Sequence, residues 1–217
     1  MKILCIADQI DPLVYSSSVK TRYHDVDLVL SAGDLPLEYL DFIVSSLNCP
    51  LVFVYGNHHL ENFSSFRDKR KYPGGTAWGL THAGSTIRKE KGLLIAGLGG
   101  SMTYNNGVNQ YTEAQMRWEI WKLFPRLLIN RIFRGRWLDI LLTHAAPRGI
   151  HDKEDPCHRG FKCFLSFMNF FKPRYLVHGH IHLYDLSELR TSRYGSTVVI
   201  NAYSQYVINT ESYESVY

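Results

Sequence analysis

Long apolar runs are missing from this chain. None of its 217 residues belongs to a stretch approaching the eighteen or so apolar residues that cross a bilayer, so a spanning helix is excluded and no membrane partner is expected. The first residues pass from Lys2 through a short apolar run to Asp8 without the extended apolar core of a secretion signal. Cysteine is scarce: Cys5, Cys49, Cys157 and Cys163 show no C-x-x-C spacing, and Cys5 falls inside an apolar run, which suits reduced thiols and a cytoplasmic protein. Charge of one sign is also scarce. A formal net charge of +4 over this length does not by itself call for an acidic partner or for nucleic acid. Internal repeats, low-complexity tracts and an obvious linker are absent as well, and 45% hydrophobic residues suffice for one core, so residues 1–217 are expected to form a single domain.

What is present is a repeated arrangement of polar residues behind apolar runs. Residues 2–7, 26–32 and 50–55 read as short buried strands, and the connections between them can hold helices such as Leu37–Leu47, which makes the opening α/β. Residues 61–92, with the breaker Pro73-Gly74-Gly75, are expected to form loops and short antiparallel strands before the run Leu93–Leu98. Thr112-Glu113-Ala114-Gln115 has the capping-box pattern. It opens a helix with Met116, Ile120, Leu123, Leu127 and Leu128 at helical spacing, and Pro125 is expected to kink or break it. Its other face carries Arg117, Lys122, Arg126, Arg131 and Arg134; a solvated face is favoured there over a nucleic-acid groove. Further strands are expected near Leu183–Leu189 and, as a strand or hairpin, over Thr197–Val207.

The polar residues are Asp8, Gly33-Asp34, Gly56-Asn57-His58-His59, Thr143-His144 and Gly179-His180-Ile181-His182. A carboxylate, an amide oxygen and several imidazoles form a mixed ligand set suited to Mn²⁺, Fe or Zn²⁺, not to a thiolate site or a calcium cage. His180 and His182 flank one residue, a spacing that lets them face two neighbouring ions, so two metals are the economical reading. Glycine before Asp34, Asn57 and His180 fits a tight turn that swings the next side chain into a common site. Taken singly, Asp8 or Asp34 could equally cap a helix. His178 reads as a core or supporting histidine, while His24, His82 and His151 read as ordinary surface or loop residues. The loop from Pro156 to Phe161 offers Arg159 as a phosphate contact or a surface ion pair, and the Gly-rich loop Gly99–Gly107 is expected to line the cleft without the spacing of a nucleotide P-loop.

This ordered series resembles the motifs of the calcineurin-like metallophosphoesterase superfamily from Asp8 to His182. The resemblance implies two packed mixed β-sheets flanked by helices, a four-layer sandwich. It further implies a metal-dependent phosphoesterase cleaving a phosphodiester or phosphomonoester by in-line attack of a metal-bound hydroxide. Asp34 would bridge two ions, Asp8 and His182 would hold the first, and Asn57, His144 and His180 the second. His58 would protonate the leaving oxygen. The chain departs from the family at Ile10, where a histidine usually completes the first site, and at His59, where an acidic residue usually orients the catalytic histidine. A weaker first site is therefore expected, and the alternative is a catalytically weakened or inactive member serving as a protein-binding module. Small phosphoesters are the expected substrates.

Overall fold

A computed structural model describes residues 1–58, 76–77, 79–185 and 188–210. His59 and the Pro73-Gly74-Gly75 breaker lie outside the described residues. The expected sheets are present. The first has strand order β14-β1-β2-β3-β5-β4, built from Lys2–Ala7 (β1), Leu28–Ser31 (β2), Leu51–Phe53 (β3), Thr76–Ala77 (β4), Leu80–His82 (β5) and Ser204–Asn209 (β14). The second has order β12-β13-β11-β10-β7-β6, built from Thr86–Glu90 (β6), Leu93–Leu98 (β7), Ile140–Thr143 (β10), Tyr175–His178 (β11), Thr191–Tyr194 (β12) and Thr197–Asn201 (β13). In each, the central strands run parallel and the outer ones antiparallel, and Ser101–Met102 (β8) and Gln110–Tyr111 (β9) form a separate parallel pair.

Side chains alternate across a strand, and both sheets use this to form three apolar layers. Ile3, Cys5, Leu28, Leu30 and Val52 meet Ile95, Ile140, Leu142, Val177 and Ile200 between the sheets. The alternate residues Leu4, Ile6, Val29, Leu51 and Phe53 pack outward against Val19 of α1 (Val19–Arg22) and Tyr39, Leu40 and Ile43 of α2 (Leu37–Leu47). On the far side Leu94, Ala96, Leu141, Leu176 and Val199 pack against α3 (Glu113–Arg134) and α4 (Lys162–Phe171). Each valine, leucine, isoleucine or phenylalanine buried in this way contributes roughly 1.5–3 kcal/mol over an exposed position.

The capping box at Thr112 is formed in full, with Gln115 N–H on the Thr112 hydroxyl and the Gln115 amide on the Thr112 N–H. Glu113, from the first turn of α3, accepts the Lys162 and Cys163 N–H groups at 3.1 and 2.6 Å, satisfying orphan donors at the start of α4 and tying the two helices together.

Several expectations are corrected. Pro125 neither breaks nor ends α3, which is continuous from Glu113 to Arg134. Both Pro125 and Trp121, whose carbonyl loses its helical donor, are exposed, so water can serve that carbonyl. Leu128 faces solvent, and the face opposite the buried Met116, Leu123 and Leu127 is largely apolar, with basic residues beside it. The described part of Leu183–Leu189 contains no strand, and Thr197–Val207 is no hairpin: β13 belongs to the second sheet and β14 to the first. The four cysteines are free. Among the described residues no helix is long and apolar enough to cross a membrane.

Candidate functional site

The ends of β1, β2, β3, β10 and β11 meet along one edge where the sheets face each other. Asp8 follows β1, Asp34 lies three residues past β2, Asn57 four past β3, His144 directly after β10 and His180 two past β11. Asp8, Asp34 and His180 adopt left-handed φ of 65°, 56° and 65°. Such geometry costs a non-glycine residue of the order of 1 kcal/mol, and it turns each side chain back over the sheet edge. The preceding glycines serve mainly by their size. A Cβ on Gly179 would lie 2.6 Å from Asp8 Oδ2, and one on Gly56 would overlap the Asp34 carboxylate; only Gly33 itself needs a positive φ, of 103°.

Fully buried His144 stands at the centre. Its Nδ1 lies 2.7 Å from the Ala32 carbonyl, which can only accept, so Nδ1 carries a proton. Its Nε2 then points at two oxygens, Asn57 Oδ1 at 3.0 Å and Asp34 Oδ2 at 3.3 Å. The Asn57 amide nitrogen donates to the Tyr104 hydroxyl at 3.3 Å, which presents its oxygen to His144, and Asp34 is held from behind by the His58 N–H at 2.8 Å. Three acceptors, one of them anionic, thus converge and require a cation among them, whether a proton or a metal ion. Burial opposes charge on His144, but the Asp34 carboxylate, with Asp8 and the Ala32 carbonyl, outweighs it and pushes its pKa up to about 9. Burial likewise disfavours charge on Asp34, yet His144 and the His58 N–H hold its carboxyl well below the usual range.

His180 completes this side. One ligand atom from each of Asp34, His144 and His180 lies within 4.8 Å of the others. The His180 Nε2 donates to the Cys157 carbonyl at 2.8 Å, and burial, reinforced by His144, keeps the ring neutral with a pKa near 3, leaving Nδ1 with a lone pair. A buried carboxylate, an amide oxygen and two neutral-capable imidazoles fit a borderline divalent cation.

The opposite side is sparser. Asp8 Oδ2 accepts the His180 N–H at 2.8 Å; burial pushes its pKa up to about 7 against the pull of His144, with Asp34 adding to the rise. His182 is half-buried, with Nδ1 at 3.0 Å from the Tyr184 hydroxyl and its ring 4.9 Å from that of Tyr203. Among the described residues Asp8 and His182 do not join a common ligand cluster. Ile10 is 40% exposed. Asp11 does not substitute for a ligand there, because it accepts the Leu13 and Val14 N–H groups and the Ser204 hydroxyl.

His58 is exposed at the lip of the site. Arg159 is exposed on the loop whose Cys157 carbonyl meets His180, with its guanidinium 3.4 Å from the Glu154 carbonyl; among the described residues no carboxylate pairs with it. The Gly-rich loop reaches the site through Tyr104, and Asn109 donates to the Gly56 carbonyl. Two supports escaped the sequence reading. Buried Asn201 donates to the Ile181 carbonyl at 2.8 Å, fixing the His180–His182 segment. His151 is no ordinary loop residue: its Nδ1 lies 3.0 Å from His178 Nε2 and its Nε2 2.8 Å from the Ser192 hydroxyl. Because His178 Nδ1 must donate to the Gly179 carbonyl, its Nε2 accepts from His151 and both rings are neutral; burial accordingly lowers them to about 3 and about 4. No local pattern announces either contact, since the partners are 20 to 41 residues apart.

A sequence-family model described as calcineurin-like phosphoesterase matches residues 1–184. One solved crystal structure superposes with a TM-score of 0.64 at 13% identity, covering 97% of this chain and 95% of its own. The protein TT1561 of Thermus thermophilus superposes with a TM-score of 0.61, also at 13% identity, over 93% of this chain and 88% of its own. At such identity these likenesses concern the fold alone. No curated protein matches the chain significantly.

Proposed function

The chain belongs to the calcineurin-like phosphoesterase family, and on that premise we propose that it is a metal-dependent hydrolase of a small phosphodiester or phosphomonoester. The observation that carries the reading is the meeting of His144 Nε2 with Asn57 Oδ1 and Asp34 Oδ2, three acceptors arranged about one cation. Asn57, His144 and His180 would hold one divalent ion, Asp8 and His182 a second, and Asp34 both. When bound, such a pair supplies a hydroxide nucleophile and neutralises phosphoryl oxygens. Mn²⁺ in a cytoplasmic setting suits this mixed oxygen and nitrogen set.

The chain's own groups divide the remaining work. The Ala32 carbonyl fixes the His144 tautomer, and Tyr104 fixes the Asn57 amide, so both ligand atoms are set before any ion arrives. His58, anchored through its backbone to Asp34, would give its proton to the leaving oxygen. Arg159, whose guanidinium fork meets no carboxylate among the described residues, would engage a phosphoryl oxygen from the loop that meets His180.

The test is hydrolysis of an aryl phosphodiester and an aryl phosphomonoester by protein resupplied with Mn²⁺, beside His58→Ala. Turnover should fall by about 10²–10⁴-fold in the variant while bound metal per chain is unchanged. Equal rates in both proteins would refute the role of His58. Absence of turnover with either ester would instead favour the binding-module reading, for which the exposed Ile10 speaks, as does the place of Asp8 and His182 outside any group of three ligand residues among the described residues.

A further inference from the structure

The solvent side of α3 has the pattern of a buried one. Trp118, Trp121, Pro125, Leu128 and Ile132 recur at intervals of three, four, three and four, so they form a single stripe, and it points directly away from the core residues Met116, Leu123 and Leu127. Both tryptophans are 64% exposed and Ile132 65%. The stripe continues sideways onto α4 through exposed Phe170, across a groove of about 270 Å³ between the helices, floored by Phe124 and Phe167. At about 1.5 Å per residue the stripe from Trp118 to Ile132 runs for about 21 Å along α3.

The flanks identify the occupant. Arg117 and Arg131 lie along one side and Lys122 and Arg126 along the other, all exposed. The acidic residues of α3, Glu113 and Glu119, are partly buried beside the stripe: the first accepts the α4 N–H groups and pairs with Arg117 at 3.7 Å, the second accepts the Ser85 hydroxyl and pairs with Lys122 at 2.6 Å, so among the described residues Arg126 and Arg131 are the flanking cations that meet no carboxylate. A second copy packed on this stripe would bring cations against cations on both sides, which such seams avoid. A layer that is apolar within and anionic at its surface satisfies both features, and tryptophan beside arginine and lysine is the composition of helices lying in that interface.

We propose that the α3 face, with Phe170 of α4, is a docking surface for an anionic lipid bilayer, on which the protein rests peripherally. The expectation of no membrane partner rested on span length alone; a helix lying in the headgroup plane needs no spanning run. This inference is independent of whether the site hydrolyses anything.

The experiment is co-sedimentation of the full chain with phosphatidylcholine vesicles, with and without phosphatidylglycerol, over a range of salt. Binding is expected only with the anionic vesicles and should weaken as salt rises. Trp118→Ala with Trp121→Ala, and separately Arg126→Glu with Arg131→Glu, should each reduce partitioning at least about tenfold. Because these side chains are exposed, far-ultraviolet circular dichroism and the thermal midpoint should stay near those of the native chain. Equal binding to neutral vesicles, or variants that bind like the native chain, would overturn the proposal. So would absence of binding to either vesicle, and so would a dimer in sedimentation velocity that the tryptophan variant abolishes, which would assign the face to a second copy.

Discussion

Gly56→Ala isolates the central claim about the site, that Asp34 is held immobile between the two sheets. Gly56 does not need a positive φ, so alanine is free to adopt its backbone conformation and the whole effect is one of space. The added Cβ would overlap the Asp34 carboxylate and lie 2.8 Å from the Asp34 nitrogen, a backbone atom that cannot swing aside as the end of a flexible side chain could. The carboxylate would have to leave the His58 N–H, a charge-assisted bond of about 1.5–3 kcal/mol, and overpacking adds about 1–3 kcal/mol. A loss of about 3–5 kcal/mol follows, with divalent-ion affinity down by about 10–100-fold, as when a metal ligand's support is removed. Gly92→Ala is the reciprocal control. It meets nothing within 4 Å but requires φ of +84°, so it should cost only about 1–2 kcal/mol of backbone strain and leave metal affinity intact. Urea unfolding of both variants in chelator, followed by calorimetric titration with Mn²⁺, decides the matter. If the two variants lost similar stability and bound metal alike, the placement of Asp34 argued above would be wrong.

Two further outcomes are expected. His151 is held neutral, at about 4 against 6.5 for an ordinary histidine, so the unfolded chain takes up a proton first as pH falls; this contribution is complete above about pH 6.5 and is lost toward pH 4. Between pH 7 and 5 the native chain should lose about 2 kcal/mol more than His151→Gln in urea titrations, and parallel losses would remove the neutral relay. Tyr104→Phe frees the Asn57 amide nitrogen and should weaken divalent-ion binding several-fold with little change in thermal midpoint; unchanged affinity would mean that Asn57 is oriented by His144 alone.

Elements whose signals are local were legible in the sequence. The bounds of β1, α2 and β7 follow from apolar periodicity meeting a polar or turn residue, and the start of α3 follows from side chains that reach only three positions along the chain. The residues gathered at the sheet edge were legible too, because each sits a few positions past a strand and parallel strands end on the same side. What was not legible depends on distant partners. Whether Thr197–Val207 folds on itself or divides between sheets is decided by pairing with β1 and β11, far away in the chain. His151 resembled any loop histidine until His178 lay beside it. On α3 the apolar residues obey helical spacing on two faces at once, and periodicity alone could not tell which one the sheet would cover.

The passage of the chain from β13 to β14 has a mechanical meaning. Asp8, Asp34 and Asn57 extend from one sheet, His144, His180 and His182 from the other, so sliding of the sheets would pull the two halves of the site apart. Residues Ala202 and Tyr203 cross between them at the site itself: the Ala202 N–H is held by the His178 carbonyl, and Tyr203 bridges to Ala7. The crossing acts as a rivet at the edge where shear would do most harm. Slow amide exchange at Ala202 should therefore rise and fall together with that of the central strands on both sides, as one cooperative unit.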